Sequence, residues 1–261
     1  MNTPLLEIHA LNKRFGGVHA VRDVALTAPE ATILGLIGPN GAGKTTLLNM
    51  ISGTLLPSGG EIRFNQHRVT TASPEKRCRM GIMRTFQNLS LLNDLSNLDN
   101  VALGANAWHR NGLRDLCGFG RGREQRLRDE ARANLEAVGL GGREAALPGE
   151  LSYGNQRKLE IARALMGRPS LLLLDEPAAG LNNQESQELA ELILALRDER
   201  QLTVVLIEHD MDVLMAVSDM VTVLVEGAVL TSGAPRKVQG DARVIEAYLG
   251  QDDIFDDLAD A

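Results

Sequence analysis

The apolar run TILGLIG at residues 32–38 passes without a break into GPNGAGKTT at 38–46, and LLNMIS follows at once. This reads as a buried strand, a glycine-rich loop and a helix in succession. A strand that feeds a helix across so short a turn belongs to a layered α/β domain in which the helix packs back on the sheet. Gly38 to Thr45 fits the spacing GxxxxGK[ST]. Glycines at Gly38, Gly41 and Gly43 let backbone N–H groups converge on an anion, and the helix N-terminus adds positive potential. Lys44 is then placed to reach the β and γ phosphates of a nucleoside triphosphate, and the Thr45 hydroxyl to coordinate Mg²⁺. Asn40, Ala42 and Thr46 complete the expected nucleotide-binding set.

A second element completes that chemistry. LLLLDE at 171–176 is an apolar strand ending in two carboxylates, the form that delivers Asp175 to Mg²⁺ at the carboxyl edge of a parallel sheet. Glu176 points differently and is placed to orient and deprotonate a water attacking the γ-phosphate. A strand ending in Asp-Glu is commonplace by itself; beside the upstream loop it becomes a general-base candidate.

The rest of the chain supports an α/β reading. LLEIHALNKRF, VRDVALTA and EIRFN give a β-rich start, and residues 94–166 have helical periodicity around a polar, Gly-broken stretch. SLLLLD, TVVLIEH and MVTVLVE then alternate with the helices QESQELAELILALRDE and DMDVLMAVSD, as expected of a parallel sheet covered on both faces. The longest purely aliphatic runs have four residues, against the ~20 needed to cross a bilayer. The opening shows no secretory signal, so a cytoplasmic location is expected. Cys78 and Cys117 have no metal-ligand spacing. A formal charge of −7 argues against non-specific binding to nucleic acid. Five Asp in the last eleven residues account for most of it and predict a disordered, self-repelling tail over 251–261. Residues 110–132, with seven Arg, read as a solvated helical face or, alternatively, a docking surface for a partner or lipid headgroups.

LSYGNQRKLEIARAL at 151–165, with Gln87 in RTFQ, Gly-Leu-Asn at 180–182 and His209 in IEHD, makes residues 5–250 resemble the ATP-binding subunits of ABC transporters. Within that superfamily RTFQ, LLLDEPAAGLN, LIEHDM and the closing VIEAYLG are most similar to the ATPases of branched-chain amino-acid importers. The resemblance implies a P-loop NTPase core spanning 1–250, with an N-terminal antiparallel β subdomain and an inserted helical subdomain at about 94–166. It implies ATP and Mg²⁺ as cofactors and ATP hydrolysis as the activity. Phe15 is expected to stack on adenine, and His209 to contact the γ-phosphate. Gln87 is expected to sense Mg²⁺ and the γ-phosphate and to relay to the membrane subunit. Ser152, Gly154 and Asn155 start a predicted helix and are expected to close over the nucleotide of a second ATPase chain in a head-to-tail dimer. The implied partners are two transmembrane permeases, a related but non-identical ATPase and, indirectly, a periplasmic solute-binding protein, with the chain peripheral on the cytoplasmic face of the inner membrane. The same engine could serve urea, short amides or lipopolysaccharide export; a soluble ABC-type ATPase of DNA repair or translation would normally carry two cassettes or a long coiled coil. Two departures stand out. The widespread LSGGQ reads LSYGN, placing Tyr153 for Gly and Asn155 for Gln, and Asn182 stands where the family usually has Asp.

Overall fold

The computed structural model describes residues 4–85, 90–107 and 121–249. Gln87, the acidic tail and the first part of the Arg-rich segment lie outside the described residues. Two sheets carry the fold. The larger has the order β10 (Ala228–Gly233), β9 (Met220–Val225), β3 (Ile33–Ile37), β8 (Thr203–Ile207), β7 (Leu171–Asp175), β6 (Ile82–Arg84). Its strands β9 to β6 pair in parallel, and β10 closes one edge antiparallel. The smaller sheet, β2 (Val18–Pro29), β1 (Pro4–Phe15), β4 (Gly59–Phe64), β5 (His67–Arg68), is antiparallel.

Every residue of β3, β7 and β8 is buried, as near-continuous aliphatic strands covered on both faces must be. The period of two divides them between two cores. Leu34, Leu36, Leu171, Leu173, Val205 and Ile207 face α1 (Lys44–Ser52) and the smaller sheet. Ile33, Leu172, Leu174, Val204 and Leu206 face the opposite layer. That layer includes α3 (Asn97–Ala102), α4 (Arg121–Ala137), α5 (Tyr153–Leu165) and α6 (Asn183–Arg200). In α4, Ala131 and Leu135 enter the core while Arg128 pairs outward with Asp99 and Glu124 at 3.2 and 3.4 Å. A third cluster joins Ile37 and the strand β9 to α7 (Met211–Val217), α8 (Pro235–Gln239) and α9 (Ala242–Leu249) through Leu214, Val238, Val244 and Tyr248.

The expected strands and long helices are present with shifts of a few residues. α2 (Pro74–Met80) and the short strands β5 and β6 have no counterpart among the expected elements, and neither does β10. Two or three residues are too few to display a period, and β10, half-buried throughout except for exposed Ser232, lacks a clean alternation.

Candidate functional site

The carboxyl ends of β3, β7 and β8 open on the same edge of the parallel sheet, where open α/β sheets hold ligands. β3 ends at Ile37 and the loop turns through Gly38, Gly41 and Gly43, all at positive φ (148°, 79° and 97°), into α1. Gly38 is required twice over. A β-carbon there would lie 2.0 Å from the Leu224 carbonyl oxygen, and its backbone conformation is one that L residues rarely adopt. Asn40, Gly41 and Thr45 are exposed at the mouth, Thr46 is half-buried, and Ala42 is buried. Lys44 is buried, and its Nζ donates to the carbonyls of Gly38 at 2.5 Å and Pro39 at 3.1 Å. Burial lowers its pKa, opposed by the charges of Glu176 and Asp175.

Asp175 ends β7 fully enclosed. Its Oδ2 accepts from Arg84 Nη2 at 2.7 Å, and its buried Oδ1 has no hydrogen-bond partner. A buried carboxylate oxygen that no protein donor reaches is a fitting ligand for a cation, because buried acceptors ordinarily find partners. Among the described residues no group of three or more His, Cys, Asp or Glu could hold a metal. That donor set fits Mg²⁺, which uses one or two protein oxygens together with phosphates and water.

Glu176 follows at φ 50°, its N–H donating to Ile207 O at 2.9 Å. After this left-handed residue its carboxylate lies within hydrogen-bond distance of His209, Oε1 to Nε2 at 2.9 Å. Here Glu176 and His209, two of the three expected catalytic residues, meet beyond the ends of β7 and β8. The turn after β8 also contains Glu208, a buried carboxylate that accepts the N–H groups of Ala178 at 2.6 Å and His209 at 3.2 Å. Burial pushes its pKa up to about 7, with those two N–H groups pulling the other way.

Ser152, Gly154 and Asn155 lie elsewhere. Ser152 caps α5, its hydroxyl accepting from Asn155 N at 3.3 Å, so the expected helix start is present. These three residues, with Lys158, Asn182 and Glu185, line a cavity of about 300 Å³ to which no residue of the 38–46 loop contributes. Phe15 ends β1 with its ring half exposed and the Lys13 ammonium 5.0 Å from its centroid. Gln87 is outside the described residues.

Three groups escaped the sequence. Arg84 bridges Asp175 to α1, donating also to Asn49 Oδ1 at 2.5 Å. Glu208 ties the turn carrying His209 to the loop after Glu176. Tyr248 of α9 packs beside Ile37, and burial pushes its hydroxyl up to about 12. The one available signal was a charged residue adjoining a motif, as Arg84 in RTFQ and Glu208 in IEHD do.

The family model described as ABC transporter matches residues 21–179, and a second, described as branched-chain amino acid ATP-binding cassette transporter, matches 228–254. The high-affinity branched-chain amino acid transport ATP-binding protein BraF of Pseudomonas aeruginosa is 43% identical over 258 residues, 96% of this chain and 100% of that protein. LivG of Escherichia coli K12, of the same description, is 40% identical over 255 residues, again 96% and 100%. The ADP conformation of MJ1267, an ATP-binding cassette of an ABC transporter, superposes with a TM-score of 0.85 at 29% identity, covering 96% of this chain and 100% of that one. Because the first match runs through the loop, the capped helix and the carboxylate strand together, and these relatives align along their whole length, the chain belongs to the ABC transporter family.

Proposed function

We propose that the chain is the ATP-hydrolysing subunit of an importer and energises uptake of branched-chain or related amino acids through separate membrane subunits. The observation that carries the chemistry is the approach of Glu176 to His209 at 2.9 Å on the strand edge that also holds Lys44 and Asp175. Lys44, with the backbone N–H groups that the 38–46 loop offers at every position except Pro39, binds the phosphates; Phe15 takes the adenine. Asp175 and Thr45, joined by Gln87, would hold Mg²⁺, which neutralises charge on the β and γ oxygens when bound. Glu176, oriented by His209, takes the proton of the attacking water. The separation of the Ser152 cavity from the phosphate loop supports a site completed by Ser152, Gly154 and Asn155 of a second ATPase chain, head to tail.

The cargo reading rests on BraF and LivG and on the C-terminal model over 228–254. Among the described residues no helix is long and apolar enough to cross a membrane, in keeping with a peripheral subunit on the cytoplasmic face. The expected assembly adds two permeases, a non-identical ATPase partner and a periplasmic binding protein, with no nucleic acid. Residues 94–166 act as the helical subdomain facing the permeases, within a 1–250 ATP-binding unit followed by the 251–261 tail.

Two measurements test this. In the reconstituted transporter Glu176→Gln is expected to bind MgATP and to lose hydrolysis by about 10²-fold or more. Wild-type turnover there would refute the base assignment. Deleting the gene is expected to abolish high-affinity uptake of labelled leucine, isoleucine and valine. Loss of urea or short-amide uptake instead would leave the importer and overturn the cargo.

A further inference from the structure

The signature segment carries a buried polar chain that the hydrolytic chemistry does not use. Glu160 on α5 is enclosed, yet both of its oxygens are engaged. Oε1 accepts the Ser90 N–H at 2.9 Å, and Oε2 accepts from Arg157 Nη1 at 3.3 Å. Burial raises the Glu160 pKa; the Ser90 N–H, Arg157 and Arg163 oppose this. Arg163 grips the same point of the chain, donating to Ser90 O at 2.8 Å and Ser90 Oγ at 2.9 Å. At the other end Arg157 Nη2 donates to the Tyr153 hydroxyl at 2.9 Å. The Tyr153 ring lies so close over Gly180 that a β-carbon there would come within 3.3 Å of its Cε1. Gly180 sits at φ 82°, four residues after Glu176. Ser90 stands three residues after Gln87.

From this geometry we infer that Tyr153, acting through Arg157 and Glu160, is a positioning residue that ties the chain just after Gln87 to the loop just after Glu176 within one subunit. The inference rests on the proposed role as a transport ATPase. A buried, hydrogen-bonded ion pair is suited to such a link, because moving one end without the other leaves a charge uncompensated. Tyr153 replaces the small residue of the common signature. Its ring reaches Gly180 and its hydroxyl reaches Arg157, two contacts that a glycine cannot make. A shift of Ser90 is therefore transmitted to the loop that carries Gly180, and the reverse.

The test is Tyr153→Phe, which keeps the ring on Gly180 and removes only the hydroxyl, measured in the isolated full chain and in the assembled transporter. The Ser90 N–H, remote from Tyr153 but bonded to Glu160, is expected to exchange its hydrogen about fivefold faster in the variant. Basal ATPase activity is expected to stay within about twofold, and the activity stimulated by permeases and loaded binding protein to fall by about fivefold. A helix-packing role alone would lower both activities by the same factor. Unchanged Ser90 exchange, an unchanged stimulated rate, or a parallel fall of both rates each overturns the inference. Glu160→Gln is the second variant, with faster Ser90 exchange expected again. If the wild-type chain is not stimulated by any permease, the importer reading fails, and Ser90 exchange in the isolated chain still decides whether the link exists.

Discussion

Arg84 decides how Asp175 can exist where it does. The side chains of the pair are 9% and 3% exposed, a setting in which a lone charge is costly to bury. The guanidinium takes Oδ2 and leaves Oδ1 buried without a hydrogen-bond partner. Replacing Arg84 with Met strands the carboxylate, and a loss of about 3 kcal/mol of unfolding free energy is expected in urea titrations, together with weaker Mg²⁺-dependent nucleotide binding. A stability change below about 0.5 kcal/mol would contradict this account. At this scale the sequence located Lys44, Asp175, Glu176 and His209 from their neighbours along the chain. It was silent on Arg84, because residues 84 and 175 meet only when β6 pairs with β7. Asn182 shows the same limit in another form. Its side chain accepts from Glu185 N at 3.0 Å and donates Nδ2 to Glu185 Oε2 at 3.0 Å. An Asp could make the first bond but would set a second negative charge against Glu185, so the departure from the family pattern has a local cause in the capping of α6.

At the scale of elements, α1 depends on a residue outside it. Its C-terminal carbonyls have no partner within the helix, as at every helix end. Arg77 of α2, wholly buried, donates to Met50 O at 2.5 Å, Ile51 O at 2.7 Å, Thr70 O at 2.9 Å and Ala72 O at 3.1 Å. Burial pushes the Arg77 pKa down to about 10, and it still remains a cation near neutrality. One guanidinium thereby anchors the helix that begins at the phosphate loop to the turn between β5 and α2. Arg77→Leu leaves these four carbonyls buried without that donor, and the unfolding midpoint in urea is expected to fall by an amount equivalent to about 3 kcal/mol or more. Arg77→Lys, with a single nitrogen, is expected to recover only part of it. Neither α2 nor its role was legible in the sequence, since a seven-residue helix rich in Lys and Arg reads as solvated surface until the fold brings α1 against it.

On the scale of the whole molecule, Glu208 makes global stability depend on pH. Its carboxyl titrates at about 7 in the fold and near 4.5 when unfolded, so between those values the folded chain holds the extra proton. Its contribution is therefore complete below about pH 4.5 and lost as pH rises toward 7, by up to about 3 kcal/mol. Glu208→Gln cannot ionise, so its stability relative to wild type is expected to rise from pH 5 to about pH 7 and to level off above it in denaturant titrations. A difference independent of pH would show that Glu208 does not titrate in that range.

The amino-acid sequence by itself determined the chemistry and the layers. Glycine spacing, strand alternation and the Asp-Glu pair are local, and backbone conformation responds to local pattern. The tertiary structure alone decided how the buried charges are satisfied. Arg84 with Asp175, Arg77 with the end of α1 and Glu208 with Ala178 join residues 26 to 91 apart in the chain. A polar group enclosed in a core must find its partner there, and which partner it finds is set by the order in which strands and helices pack, an order that no short stretch of sequence records.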